Sequence, residues 1–250
     1  MTEFLGIIPA RYGSTRFPGK PLALLGGKPV IQWVYERASS LFEHLLVATD
    51  DQRIHNTVEG FGGKAQMTSA LHKSGTDRCA EAAGIYEKKS GLNFSYVVNI
   101  QGDEPLIRQE QLQTLLDCFQ SPGTTIATLI SQMDKSEDIH NPNVVKVVVD
   151  QSFRALYFSR APIPFIRNSE TAGEVKNIIY YKHIGLYAFS RKVLDQVVRL
   201  PPSDLETAES LEQLRWMDHG FTIRTAVTTF PSLGVDTPED LEKLKEQGYS

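Results

Sequence analysis

The chain has 250 residues, 41% of them hydrophobic, enough to bury a core without disulfide or metal staples, and its formal net charge of -4 excludes a generally basic nucleic-acid binder. Only two cysteines occur, Cys79 and Cys118, without metal-ligand or redox spacing, which predicts reduced thiols and a cytoplasmic protein. No apolar run reaches the roughly 18 residues of a membrane span, and Pro9 cuts the N-terminal apolar run short, so neither membrane insertion nor a signal peptide is expected.

The first half alternates strand and helix. Phe4–Ala10 is a short apolar run with β-branched residues and predicts a strand, followed by a loop rich in Gly, Ser, Thr and Arg. Val30–Phe42 places Val30, Val34, Ala38 and Leu41 on one helical face. Leu45–Thr49 predicts a buried strand, Asp51–Phe61 a helix stopped by Gly62-Gly63, and Lys64–Met67 another strand. Gly75–Lys89 reads as helix, Tyr96–Ile100 as strand and Arg108–Phe119 as helix. Short apolar strands separated by helices predict a Rossmann-like α/β fold, a mostly parallel sheet with helices on both faces.

The pattern changes after Gly123. Thr125–Ser131, Val144–Val149, Arg154–Phe158 and Ile178–Phe189 are strand-like with only loops between them, predicting an antiparallel layer inserted over about 124–190 of a single domain. Asn168–Lys176 is polar and reads as an exposed loop. Helices return at Arg191–Leu200 and Glu206–His219, then a strand at Thr222–Phe230. A last helix is signposted by Thr237 as N-cap, Pro238 at the first position, Asp240 at the third and Gly248 past the end.

Ligands of open α/β sheets sit beyond the carboxyl ends of the strands. Three segments directly follow strands: Arg11–Lys20, Gln101–Glu104 and Gly234–Asp236. The first is the strongest signal. Its small residues let backbone N–H groups approach an anion, while Arg11, Arg16 and Lys20 offer three cations to a polyphosphate. It has neither the Gly-Lys-Ser/Thr of a Walker A loop nor the three glycines of a dinucleotide fingerprint. Asp103 and Asp236 are candidate metal ligands, since magnesium is held by one or two carboxylates plus phosphate oxygens. Asp236 read alone fits a part in the helix cap at Thr237 equally well. Two carboxylates facing one crevice would also repel, so a neutral amide at either is expected to hold or raise stability without ligand.

The loop from Ile8 to Leu22 resembles the N-terminal signature of the sugar nucleotidyltransferases, in the form found in cytidylyltransferases for acidic sugars. The segments His72–Arg78, Val98–Pro105, Asn141–Lys146, Ala155–Arg160 and Gly234–Asp240 narrow the resemblance to enzymes that use 3-deoxy-manno-octulosonate (Kdo). It runs from Ile7 to about Leu241. It implies transfer of CMP from CTP to Kdo with Mg²⁺ and loss of pyrophosphate, a step serving lipopolysaccharide synthesis, in a homodimer formed through the inserted strands. On the family pattern Ala10, Arg11, Ser14, Arg16 and Lys20 form the triphosphate loop, with Arg11 and Lys20 catalytic. Ser74, Gly75, Arg78 and Gln101 fall near the cytosine, although Ser74 or Thr76 is also a natural helix cap. Asp103 and Asp236 are implied as both metal ligands and catalytic residues. Arg160, His183, Tyr187, Glu212 and Gln213 match the sugar site, each with an ordinary reading as ion-pair, strand or solvated-helix residue. No general base is evident, and a metal lowering the pKa of the attacking hydroxyl makes one unnecessary.

Three other readings compete. Hexose 1-phosphate enzymes of the superfamily open the loop with glycines where this chain has Ala10-Arg11, and cytidylyltransferases for sialic acid or an amino-substituted Kdo remain close alternatives. A non-catalytic nucleotide-binding module would not need both Asp103 and Asp236. A glycosyltransferase would present Asp-x-Asp where this chain has Asp103-Glu104-Pro105.

Overall fold

A computed structural model describes residues 3–13, 16–134, 137–167, 178–230 and 234–247. Among these, the strands are β1 (Phe4–Ala10), β2 (Leu24–Leu25), β3 (Lys28–Pro29), β4 (Leu45–Thr49), β5 (Ala65–Met67), β6 (Tyr96–Asn99), β7 (Ile126–Gln132), β8 (Lys146–Val149), β9 (Ala155–Ser159), β10 (Tyr181–Ser190) and β11 (Arg224–Val227). The helices are α1 (Val30–Ser39), α2 (Gln52–Gly60), α3 (Gly75–Ser90), α4 (Gln109–Asp117), α5 (Arg191–Val197), α6 (Asp204–Glu209), α7 (Glu212–Asp218) and α8 (Pro238–Glu246). The expected polar loop at 168–176 and the glycine at 248 lie outside the described residues. Among the described residues no helix is long and apolar enough to cross a membrane.

The chain forms two compact units. In the first (Met1–Gln113, Leu186–Val198 and Ser232–Ser250) β1 lies between β4 and β6, parallel to both, and β5 extends the sheet beyond β4. The C-terminal half of β10 runs antiparallel to β6, with Tyr187 opposite Asn99. Leu5, Ile7 and Ile8 of β1 and all of β4 are buried, as a strand covered on both faces requires. α1 buries Val30, Ile31, Val34 and Ala38, each Val or Ile side chain contributing roughly 1.5–3 kcal/mol. Because β1, β4 and β6 run in the same direction, the segments that follow them leave from one edge of the sheet. A short hairpin, β2–β3 over Gly26-Gly27 with positive φ at both glycines, has no counterpart in the sequence reading. Its two-residue strands are too short for periodicity to detect.

The second unit contains Thr114–Gly185 and Arg199–Pro231, so its bounds differ from the expected 124–190. β8 pairs antiparallel with β9 and with the start of β10, but β7 pairs parallel with β11. The unit is therefore mixed rather than purely antiparallel. The pairing of β11 with β7 brings residues 199–231 into this unit. The single helix expected over Glu206–His219 is two, α6 and α7, because Ser210 adopts left-handed backbone (φ 51) that a continuing helix does not accept. Cys118 is buried here, and desolvation pushes its thiol up to about 11, so it stays protonated and unreactive.

Candidate active site

The loop after β1 closes on itself. The Gly19 amide donates to the Tyr12 carbonyl at 2.8 Å, and Gly19 takes a left-handed φ of 75 just before a single 3-10 turn, Lys20–Leu22. A Cβ at Gly19 would also lie 3.0 Å from the Tyr12 ring, so glycine is required on two counts. The Arg53 guanidinium also lies over the Tyr12 ring, 3.3 Å from its centroid, and Arg53 pairs with Asp51 at the start of α2. The loop thus has fixed ends and presents Arg11, Arg16 and Lys20 from one short stretch. Ser14 lies outside the described residues.

Lys20 sits between the two candidate metal ligands. Its Nζ donates to Asp103 Oδ2 and, at 3.2 Å, to Asp236 Oδ1, while Arg16 Nη2 reaches Asp236 Oδ2 at 2.9 Å. Two carboxylates far apart in the chain therefore share one ammonium. The tertiary cause is α8, whose Leu241 and Leu244 pack with Val235 against Leu25, Val30 and Leu106. The Val235 amide donates to the Asp103 carbonyl at 2.8 Å, which sets the two aspartates side by side. The cap of α8 is formed by Thr237 and Asp240, whose side chains accept each other's backbone amides. Asp240 also accepts the Asp236 amide at 3.2 Å. The Asp236 carboxylate is not part of the cap and points to the cations.

These groups line a pocket of about 360 Å³, the size range of small-ligand sites. It is lined by Ala10, Arg11, Arg16 and Lys20 of the loop after β1, by His72, Lys73, Ser74, Gly75 and Arg78 at the start of α3, and by Gln101, Gly102, Asp103 and Asp236. Gly102 is sterically required, since a Cβ there would lie 2.9 Å from the Pro9 carbonyl oxygen. Ser74 caps α3, accepting the Asp77 amide at 3.1 Å. Arg78 is buried, donating to Thr68 Oγ1 at 2.6 Å and Asp50 Oδ2 at 2.9 Å. Every sequence-predicted nucleotide and metal residue among the described ones thus meets in one cavity. Asp50, His72 and Lys73 were not singled out as site residues, although Asp50 directly follows β4 and His72-Lys73 precede the Ser74 cap.

Residues 5–223 match the family model for cytidylyltransferases. The chain belongs to the cytidylyltransferase family. It is 54% identical over 246 residues to a 3-deoxy-manno-octulosonate cytidylyltransferase of Phocaeicola vulgatus, covering 97% of this chain and 96% of that one. A protein of the same name from Thermodesulfovibrio yellowstonii is 53% identical, covering 94% of each chain. The solved structure of CMP:2-keto-3-deoxy-manno-octonic acid synthetase complexed with CTP superposes with a TM-score of 0.86 at 45% identity, covering 98% of each chain.

In the second unit of this cytidylyltransferase, four of the five sugar-site candidates gather near the end of β9. Arg160 follows that strand, and its guanidinium donates to the carbonyls of Glu209 and Ser210, just ahead of α7, which carries Glu212 and Gln213, and to the carbonyl of Pro142 in the loop before β8. Its own amide donates to a Glu209 carboxylate oxygen at 2.9 Å. Gln213 is buried, with Nε2 making no hydrogen bond among the described residues. The His183 ring lies edge-on to Phe158, with centroids 5.1 Å apart, and its Nε2 is 2.9 Å from the Thr128 hydroxyl. Tyr187, the fifth, belongs to the first unit and stacks on Phe189.

Desolvation pushes the pKa of His183 down to about 3, so the ring is neutral at pH 7. An unfolded histidine titrates near 6.5. The stability gained by keeping the ring neutral is full above that pH and is lost as the pH falls toward 3, at up to about 1.4 kcal/mol per pH unit. His183→Gln is expected to flatten the fall in urea midpoint between pH 7 and pH 5. A variant with the wild-type slope would remove His183 as its source.

Proposed function

We infer that this chain transfers CMP from CTP to Kdo and releases pyrophosphate. Membership of the cytidylyltransferase family, with curated relatives named for Kdo at about half identity over nearly the whole chain, supports the substrate pair. The single observation that carries the mechanism is the pocket in which Lys20 bridges Asp103 and Asp236, facing the start of α3. In the reaction the anomeric hydroxyl of Kdo attacks the α-phosphorus of CTP. The bond from that phosphorus to the bridging oxygen breaks, the hydroxyl proton is lost, and pyrophosphate departs. Arg11, Arg16 and Lys20 hold the triphosphate, and Lys20 offsets charge growing on the leaving group. Charge-assisted hydrogen bonds of this kind contribute roughly 1.5–3 kcal/mol each.

Mg²⁺ is the proposed cofactor. Two carboxylates that share one ammonium are close enough to share one cation. Among the described residues no third acidic, histidine or cysteine side chain joins them, which suits a magnesium completed by phosphate oxygens and water. When bound there, it would polarise the phosphate and neutralise the leaving group.

Arg160, His183, Tyr187, Glu212 and Gln213 are the proposed sugar residues. Among the described residues Arg160 gives its guanidinium to carbonyl oxygens only, so its charge is left for a carboxylate such as that of Kdo. A cytoplasmic location, proposed from the sparse cysteines, and a role in supplying lipopolysaccharide assembly complete the reading.

A pyrophosphate-release assay tests it directly. CTP with Kdo should turn over far faster than CTP with sialic acid or ATP with Kdo, and hexose 1-phosphates should be inert. Comparable turnover with ATP would sink the base site, and preference for sialic acid would sink the sugar assignment.

A homodimer is also proposed. Leu156, Phe165, Ile178 and Ile179 of the second unit expose between 37% and 87% of their surface, and apolar side chains exposed to that degree suit a contact with a second copy. Sedimentation should give twice the chain mass, and a monomer across micromolar concentrations would reject the dimer.

A further inference from the structure

The segment between β5 and α3 has no regular secondary structure, yet it supplies His72, Lys73 and Ser74 to the pocket wall. Apolar packing of its one large hydrophobic side chain does not hold it, since Leu71 is 88% exposed. Two side chains three positions apart on α3, and so neighbours on its surface, hold it instead. Arg78 takes the Thr68 hydroxyl at the near end. Glu81 takes the rest with a single oxygen. Its Oε2 accepts the Ser69 amide at 2.8 Å and contacts His72 Nε2 at 2.5 Å. Between those anchors the Ser69 hydroxyl accepts the Leu71 amide at 3.1 Å, turning the chain back.

Burial alone would raise the Glu81 carboxyl, but the Ser69 amide, the His72 ring and the charges of His72 and Arg78 outweigh it and hold it below the usual range. The group is therefore ionised at neutral pH and only accepts, so the proton on His72 Nε2 is the donor. Glu81 itself is absent from the pocket lining.

We propose that Glu81 is a positioning residue for nucleotide binding: by clamping Ser69 and His72 to α3, it fixes His72 and Lys73 on the pocket wall without touching substrate. The proposal rests on the reading of this pocket as the CTP site. A clamp that preorganises a binding wall acts on affinity before it acts on chemistry.

The test is calorimetric titration of CTP, without Kdo, into the wild type, Glu81→Ala and Glu81→Gln, followed by steady-state kinetics. Glu81→Ala should weaken CTP binding and raise its KM about tenfold, while KM for Kdo and kcat at saturation stay within about threefold. Glu81→Gln, which keeps the shape and one accepting oxygen, should fall between. Hydrogen exchange should quicken at 69–73 in both variants and stay unchanged in the C-terminal turns of α3. If His72 is the element being positioned, Glu81→Ala should add little to the loss already caused by His72→Ala.

Equal CTP affinity in a folded variant and the wild type overturns the proposal, and so does a loss of CTP affinity, kcat and Kdo binding all in proportion to the folded fraction. Where Glu81→Ala does not fold, Glu81→Gln decides by the same measures. Failure of the wild type to bind CTP at all would instead overturn the site reading itself, together with the proposal.

Discussion

Asp103→Asn and Asp236→Asn should each lower kcat about a hundredfold or more, with the deficit largest at low Mg²⁺. Each change preserves shape and removes a full ligand charge from a pair that already holds a cation in common. Metal stabilisation of charge in a transition state is worth several kcal/mol, and each ~1.4 kcal/mol is tenfold in rate. The stability expectation differs from the one drawn from sequence. There, two facing carboxylates repel and an amide relieves them. In the structure Lys20 and Arg16 stand against those carboxylates, so repulsion is already compensated. Asp103→Asn should lower the ligand-free melting temperature slightly, because the Lys20 side chain is only 15% exposed and loses a close partner. Asp236→Asn should hardly change it, its carboxylate being 47% exposed. Melting temperature measured beside kcat at several Mg²⁺ concentrations separates these effects. Near-normal kcat at low Mg²⁺ in either variant would falsify its role as a ligand.

Lys20→Met is expected to act in opposite directions on two measurements. Loss of a charge-assisted contact to the triphosphate should reduce kcat/KM for CTP by roughly a hundredfold, from about 1.5–3 kcal/mol of binding and a share of leaving-group stabilisation. Without nucleotide, the same variant should bind Mn²⁺ more tightly than the wild type, because no ammonium competes for Asp103 and Asp236. Two carboxylates left facing each other should also make stability depend more steeply on salt. Electron paramagnetic resonance of free Mn²⁺ reads the affinity directly. Weaker Mn²⁺ binding in Lys20→Met would show that the lysine organises the carboxylates rather than competing for them.

The sequence alone determined the buried core strands β1 and β4 and the local signals around the site. β1 and β4 have the bounds that their apolar runs predict, because a strand buried on both faces writes itself as an uninterrupted hydrophobic run. The cap of α8 was legible for a similar reason, since Thr237, Pro238 and Asp240 act within one turn. The loop motif named Arg11, Arg16 and Lys20 because crowded cations and small residues are a local property.

Whatever depended on long-range partnership was not legible. β7 accepts β11 as a parallel neighbour across about a hundred residues, and no periodicity records which open edge a strand will find. Ser210 breaks a helix whose pattern reads as continuous, through a backbone angle that serine does not advertise. Asp236 had two equal readings until the packing of α8 and the Val235–Asp103 hydrogen bond turned its carboxylate toward Lys20. Glu81 is one more helix acid in the sequence, and only the return of Ser69 and His72 onto α3 gives its oxygen two donors. Local chemistry is carried by neighbours in the chain, whereas the direction of a charged side chain is decided by partners that only tertiary packing brings near.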